Sequence, residues 1–199
     1  MCRYVNFIDR FGGDKYMWNA PYSHFGDWLA MDKPDANCGG TDTKYIAQAY
    51  FALSTSIVIK AGHALSKDVS YYEELYKNVV DAFRTHYMKD GVPVYKTQTA
   101  CVLALHFNLC DESDRKPTAD LLYKLIHERG DTLSTGFVGT PYIMHALTET
   151  GNNELAYTLL LQDKFPSWLY SVNQGATTIW EHWDGRRADG TFWSKDMNS

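Results

Sequence analysis

The 199-residue sequence has no apolar run near the roughly 20 residues that a membrane-spanning helix needs. It also has no cluster of basic residues larger than the pair Arg186-Arg187. The 24 acidic residues outnumber the 19 basic ones and leave a net charge of −5. Because nucleic acids and anionic membranes are bound by basic surfaces, neither kind of partner is expected.

Motifs for metals and for nucleophilic catalysis are missing as well. The seven histidines form no H-x-x-x-H pair and no H-E-x-x-H motif, so no metal site is expected. Neither a G-x-S-x-G turn nor a P-loop is present, which argues against a serine nucleophile and a phosphate cradle. The four cysteines fall at irregular intervals without a C-x-x-C pair, and we interpret them as buried thiols. They are Cys2, Cys38, Cys101 and Cys110.

Aromatic residues, in contrast, are abundant, with six Trp, 14 Tyr and 9 Phe making up 15% of the chain. Such a number suits either a carbohydrate cleft or a tightly filled helical core. The run from Gly175 to Gly185 places Glu181 between Trp180 and Trp183. Flat aromatic faces hold the apolar side of a sugar ring while a carboxylate transfers the proton. The alternative is a loop whose tryptophans fill a core.

Apolar periodicity after residue 40 predicts six helices. Ser70 and Glu73 have the spacing of a capping box at the start of the second helix. Thr140 is predicted to cap the fifth helix, with Pro141 in its first turn, and Pro117 is expected in the first turn of the fourth. The helices are expected at roughly 42–61, 70–90, 97–109, 115–129, 140–149 and 153–162.

These helices pair into three consecutive hairpins, which predicts an all-α helical array. The first and third helices are apolar on nearly all sides, which favours an inner ring covered by outer helices over an open solenoid. Three hairpins make about half of an (α/α)6 toroid. We treat 1–199 as one domain, with a loop-rich aromatic segment at 1–40 holding at most one short helix, hairpins at 41–162 and a segment at 163–199 that contains Glu181.

Several short motifs, in this order and at these separations, resemble the bacterial α-L-rhamnosidases of glycoside hydrolase family 78. The resemblance implies an (α/α)6 barrel that hydrolyses terminal α-L-rhamnosyl residues with inversion, without a metal or organic cofactor. The motifs are Phe25-Gly-Asp-Trp-Leu29, Leu133-Ser-Thr-Gly-Phe-Val-Gly-Thr-Pro-Tyr142, Ala146-Leu-Thr-Glu-Thr-Gly151, Phe165-Pro-Ser-Trp-Leu-Tyr170, Gly175-Ala-Thr-Thr-Ile-Trp-Glu181 and Met197-Asn-Ser199.

The same resemblance assigns roles to Glu181 and to Trp28, which matches a tryptophan of the rhamnose pocket; their neighbours are further candidates by position. Glu181 matches the family's general base, which activates water. Asp27 either accepts a sugar hydroxyl or fixes its loop as a turn residue. His182 either orients Glu181 or a sugar hydroxyl, or points the other way as the next residue of an extended segment. The residues expected to wall the sugar pocket are Trp28, Trp180 and Trp183.

Two features of the family are not matched. Its general acid precedes the Gly-Asp-Trp motif in a segment rich in Asp, Arg and Glu, and its pocket histidine follows the Met-Asn-Ser motif. We therefore expect part of a larger catalytic domain, inactive alone, whose partners are a rhamnoside and either the rest of that domain or a second copy in a dimer. The alternatives are a non-catalytic carbohydrate-binding module, a purely structural scaffold, and a toroid with another glycosidase or epimerase chemistry.

Overall fold

The computed structural model of the protein describes residues 1–33 and 37–194. The Met197-Asn-Ser199 motif therefore lies outside the described residues. None of the described helices is long and apolar enough to cross a membrane. The helices are α1 (Cys2–Phe11), α2 (Thr43–Ala64), α3 (Ser70–Tyr87), α4 (Gln98–His106), α5 (Glu112–His127), α6 (Thr140–Glu149), α7 (Asn153–Leu160) and α8 (Trp168–Asn173). Two short strands, β1 (Met88–Lys89) and β2 (Val92–Pro93), pair antiparallel between α3 and α4.

The helices form two layers. Helices α2, α4 and α6 lie side by side, and each packs against the helix that follows it, α3, α5 and α7. Helix α4, in the middle of the inner layer, is almost completely enclosed, since every residue from Gln98 to Leu105 is buried. These contacts confirm the predicted all-α fold of consecutive hairpins.

Two inner helices begin at side-chain caps that satisfy their first free amides. The Asp42 carboxylate accepts hydrogen bonds from the backbone N–H groups of Lys44 (2.8 Å) and Tyr45 (3.3 Å) at the start of α2. The Thr97 hydroxyl accepts one from the Ala100 N–H (3.1 Å) at the start of α4. Such caps contribute about 1 kcal/mol each. The two caps therefore fix the residues at which the preceding loops end and α2 and α4 begin.

Three details of the helix starts were predicted wrongly. Ser70 is the first residue of α3 rather than its cap, because the stronger acceptor Asp68 binds both its N–H (3.0 Å) and its hydroxyl (2.6 Å). Helix α5 begins at Glu112, earlier than expected, and Pro117 lies inside it. Thr140 is the first residue of α6, and its hydroxyl pairs with the Thr135 hydroxyl at 2.8 Å.

Helix α1 lies in a segment whose composition is otherwise typical of loops. Val5 and Ile8 are buried on one face, and Tyr4, Phe7 and Phe11 complete a helical pattern of apolar residues. One short helix was allowed in this segment but not placed, because Gly, Pro and Asn residues are frequent in the rest of it. Residues 1–40 therefore begin with a helix of 10 residues.

The interpretation of the cysteines as buried thiols is correct for only half of them. All four are free thiols; Cys101 and Cys110 are buried, whereas Cys2 is exposed and Cys38 is partly exposed. Cys2 lies in the first turn of α1. The Cys38 thiol donates a hydrogen bond to the Phe25 carbonyl at 2.7 Å.

Candidate active site

A cavity of about 180 Å³ opens between the loop that precedes α6, the start of α8 and the segment around Glu181. Three of the residues predicted from sequence line it together: Trp180, Glu181 and Trp183. Glu181 is the one carboxylate among the described lining residues, and it is partly exposed. The remaining lining residues are Leu29, Gly136, Phe137, Thr140, Pro141, Trp168 and Ile179.

The indole of Trp183 is held from two directions. Its Nε1–H donates to the Thr135 carbonyl at 3.2 Å, and its ring meets the ring of Trp168 edge to face, with centroids 5.6 Å apart. Both rings pack against the hydrophobic core. An edge-to-face pair contributes about 0.5–1.5 kcal/mol beyond its buried area. The Trp183 indole beside Glu181 is therefore held in place by contacts within the protein.

Asp27 does not face this cavity. Its side chain is fully buried, and its carboxylate accepts hydrogen bonds from the Gly136 N–H (2.9 Å), the Val138 N–H (2.8 Å) and the Thr99 hydroxyl. Burial raises the pKa of Asp27, and these hydrogen bonds oppose that rise. Of the two roles considered from sequence, the geometry matches the loop-fixing one, since the carboxylate is unavailable to a ligand.

The loop fixed in this way carries part of the cavity wall. Residues 28–31 and 134–137 are joined by backbone hydrogen bonds from Phe137 N–H to the Trp28 carbonyl (3.0 Å) and from Met31 N–H to the Ser134 carbonyl (2.8 Å). A Cβ at Gly136 would lie 2.1 Å from the Trp28 oxygen, so only glycine permits this approach. Asp27 and Gly136 together position Leu29 and Phe137 at the cavity.

Two further predicted residues lie outside the cavity lining. Trp28 is partly buried, and its backbone forms an isolated β-bridge with Cys38. His182 is buried; its ring stacks on Trp193, with centroids 4.3 Å apart, and its Nδ1 lies beside the Asp184 carboxylate. As neighbours in an irregular segment, Glu181 and His182 point to different surroundings.

Sequence reasoning did not assign Trp168, Phe137, Leu29 or Ile179 to the site. All four belong to motifs that carried the resemblance, but no role in the site was assigned to them. Leu29 and Ile179 are apolar neighbours of predicted residues, and nothing in their type distinguishes them from core residues. Across the described parts of the chain, no group of three or more His, Cys, Asp or Glu side chains is arranged to hold a metal.

The protein is thus a domain of consecutive helical hairpins whose loops form an aromatic cavity with one carboxylate among its described lining residues. The chain belongs to the family described as the bacterial alpha-L-rhamnosidase 6 hairpin glycosidase domain, whose sequence model matches residues 1–199. It is 41% identical over 180 residues to an alpha-L-rhamnosidase of Streptomyces avermitilis, an alignment that covers 90% of this chain and 17% of that protein. A second relative, an alpha-L-rhamnosidase of Formosa agariphila, is 40% identical over 88% of this chain and 19% of its own length.

Solved structures show the same likeness. The crystal structure of the Streptomyces avermitilis alpha-L-rhamnosidase complexed with L-rhamnose superimposes with a TM-score of 0.89 at 37% identity, covering 98% of this chain and 18% of that chain. The alpha-L-rhamnosidase of Aspergillus terreus gives a TM-score of 0.86 at 29% identity, covering 90% and 22%. The chain thus spans only 17% and 19% of the length of the two curated relatives.

Proposed function

We propose that this chain is part of an inverting glycoside hydrolase that removes terminal α-L-rhamnosyl residues, with Glu181 as the general base. The observation that carries the proposal is the cavity that holds Glu181 among Trp168, Trp180 and Trp183 in a chain of this family. The methyl group and apolar ring face of rhamnose suit indole walls. In this role the Glu181 carboxylate takes a proton from the water molecule that attacks the sugar.

Inversion requires a second carboxyl group roughly 6.5–9.5 Å from the first, which protonates the leaving oxygen. Among the described residues, the cavity wall offers Glu181 alone, because Asp27 is buried in hydrogen bonds. The general acid is therefore proposed to come from another part of the same catalytic domain. The short span of this chain within its relatives supports that arrangement.

The other predicted residues are given roles that follow from their surroundings. Trp183 and Trp180 are proposed as the wall against the sugar ring. Trp28, partly exposed beside the loop that Asp27 holds, is proposed to contact the sugar from outside the cavity lining. His182 is proposed to hold the segment that carries Glu181 through its stacking on Trp193.

The reaction class is tested by following the anomer that is released first. An aryl α-L-rhamnoside is added to the protein expressed from its complete reading frame, and proton NMR spectra are recorded within seconds to minutes. Inversion predicts that β-L-rhamnose forms first and then mutarotates. First release of α-L-rhamnose, or no release at all, would contradict the proposal. The 199-residue chain is measured alongside and is expected to release little sugar, since it supplies one of the two carboxyl groups.

A second function, a carbohydrate-binding module without catalysis, is favoured by the single carboxylate of the described cavity wall. It predicts saturable L-rhamnose binding that Trp183→Leu abolishes and Glu181→Gln leaves unchanged, with no hydrolysis by the complete protein. Titration calorimetry and the NMR assay together separate the two functions. Hydrolysis that is lost in Glu181→Gln, with binding retained, supports the enzyme.

A further inference from the structure

The cavity that contains Glu181 offers a ligand much more carbon surface than hydrogen-bonding groups. Seven of its ten described lining residues are apolar or aromatic, and the other three are Gly136, Thr140 and Glu181. The Gly136 N–H already donates to the Asp27 carboxylate at 2.9 Å, and the Thr140 hydroxyl pairs with the Thr135 hydroxyl at 2.8 Å. Glu181 therefore stands in a wall that is otherwise suited to apolar atoms of a ligand.

A terminal rhamnosyl residue has two chemically different sides. Its hydroxyl groups on C2, C3 and C4 need hydrogen-bond partners, since a polar group that is buried without one costs free energy. Its C5 carries a methyl group, which gains from contact with apolar side chains. Only C5 and the ring oxygen separate this methyl carbon from the anomeric carbon, so a wall beside the general base can reach it. The described wall of the cavity therefore suits the methyl side of the sugar better than the hydroxyl side.

Phe137 and Ile179 are the large apolar side chains of this wall that are most open to a ligand, with exposed fractions of 53% and 89%. They come from different segments, since Phe137 lies in the loop that Asp27 anchors and Ile179 lies two positions before Glu181. Large apolar side chains that are exposed at a cavity mark a binding surface. A substrate that reaches Glu181 enters the same cavity, so both side chains lie beside it.

We infer that Phe137 and Ile179 form the contact surface for the methyl group of the rhamnosyl residue and select against sugars that carry a hydroxyl group at that carbon. The inference rests on the proposed function, because it places the substrate in the Glu181 cavity. L-Mannose differs from L-rhamnose only by a hydroxyl group on C6, which would face apolar side chains and lose its hydrogen bonds to water. An apolar pocket rejects an added hydroxyl group by about 10²-fold. In kcat/KM, the complete protein should therefore prefer an aryl α-L-rhamnoside to the matching α-L-mannoside by about 10²-fold.

Two substitutions of nearly equal shape test the role of Ile179. Ile179→Val keeps the surface apolar, whereas Ile179→Thr brings a hydroxyl group that can pair with the C6 hydroxyl of the mannoside. Neither change should disturb the fold, because Ile179 is 89% exposed. The values of kcat/KM for nitrophenyl α-L-rhamnoside and nitrophenyl α-L-mannoside are measured with the protein expressed from its complete reading frame. We expect Ile179→Val to keep the preference and Ile179→Thr to lower it to about 10-fold.

A second pair of substitutions tests Phe137 in the same way. Phe137→Leu keeps an apolar side chain at this position, and Phe137→Asn places an amide of similar size to leucine there. We expect Phe137→Asn to lower the preference for the rhamnoside by about 10-fold relative to Phe137→Leu. The drop should come from faster hydrolysis of the mannoside, because the new polar group stabilises only the substrate with the extra hydroxyl. A drop that came only from slower hydrolysis of the rhamnoside would contradict the inference.

Leu161→Thr is the control, because Leu161 is 67% exposed and is not among the described residues that line the cavity. It should leave the preference of the parent protein unchanged. Hydrolysis of the rhamnoside with equal preferences in Ile179→Val and Ile179→Thr, and in Phe137→Leu and Phe137→Asn, would overturn this inference and leave the proposed function intact. A parent protein that cleaves both substrates equally well would do the same. A parent protein that cleaves neither would overturn the proposed function and this inference with it.

Discussion

Replacing Asp27 by Asn tests whether one buried carboxylate holds the two loops that build the cavity. The change keeps the shape of the side chain but turns one acceptor oxygen into an N–H donor. That donor would face the donors which Asp27 now satisfies, the N–H groups of Gly136 and Val138 and the Thr99 hydroxyl. The loop pairing next to Leu29 and Phe137 should weaken as a result.

The size of the effect follows from these contacts. Hydrogen bonds to a charged group contribute about 1.5–3 kcal/mol each, and a buried donor left unpaired costs about 1–3 kcal/mol. Asn retains one acceptor and loses at least one of the backbone bonds. We therefore expect Asp27→Asn to lower the free energy of unfolding by about 2–4 kcal/mol. Asp27→Ala, which removes every acceptor, should cost about 1 kcal/mol more than Asn.

Urea unfolding followed by tryptophan fluorescence measures this difference. Asp14→Asn is the matched control, because Asp14 is exposed and accepts a hydrogen bond from Asn19 at 2.8 Å. The control should change the free energy of unfolding by about 0.5 kcal/mol or less. A loss below about 1 kcal/mol for Asp27→Asn would refute the reasoning, since it would mean that the loops hold without the carboxylate.

Three further predictions concern a histidine, a glycine and the thiols. The pKa of His24 is lowered, mainly because the side chain is partly buried. The unfolded state therefore binds more protons than the folded state, and stability should be lost as the pH falls from about 6.5 through the lowered pKa. His24→Gln should remove that loss in denaturant titrations at several pH values, and the exposed His86→Gln should not. Gly136→Ala should cost about 3 kcal/mol or more, because its Cβ would meet a backbone oxygen at 2.1 Å; a normal urea midpoint would contradict this. The exposed Cys2 should react with a thiol reagent within minutes. Cys101 is buried, and burial raises its pKa, so it should react only when the protein unfolds. If the fast phase of the reaction were unchanged in Cys2→Ser, this assignment would be contradicted.

The hairpins were predictable because their signals are local. Apolar periodicity and the paired spacing of the helices lie within single windows of sequence. The role of Asp27 was not predictable in the same way, since its partner Gly136 is 109 positions away. Nothing near Asp27 in sequence distinguishes a loop anchor from a sugar ligand.

The cavity residues likewise divide into those that local sequence could predict and those that depend on how distant segments pack. Trp180, Glu181 and Trp183 are close in sequence, so their meeting at one cavity follows from their spacing. Trp168 arrives from a separate helix, and its edge-to-face contact with Trp183 depends on how that helix packs. The position of α1 was likewise not predicted, since one short helix was allowed among residues 1–40 without bounds.

The most direct test of the central claim is the rate of aryl α-L-rhamnoside hydrolysis by the protein from its complete reading frame and by its Glu181→Gln form. Glu154→Gln, on the exposed face of α7, is the matched control, and circular dichroism checks that each variant is folded. If Glu181 activates the attacking water, its amide form should be slower by about 10²–10⁴-fold while the control keeps the parent rate. A Glu181→Gln rate within a few-fold of the parent would contradict the assignment of Glu181 as the general base.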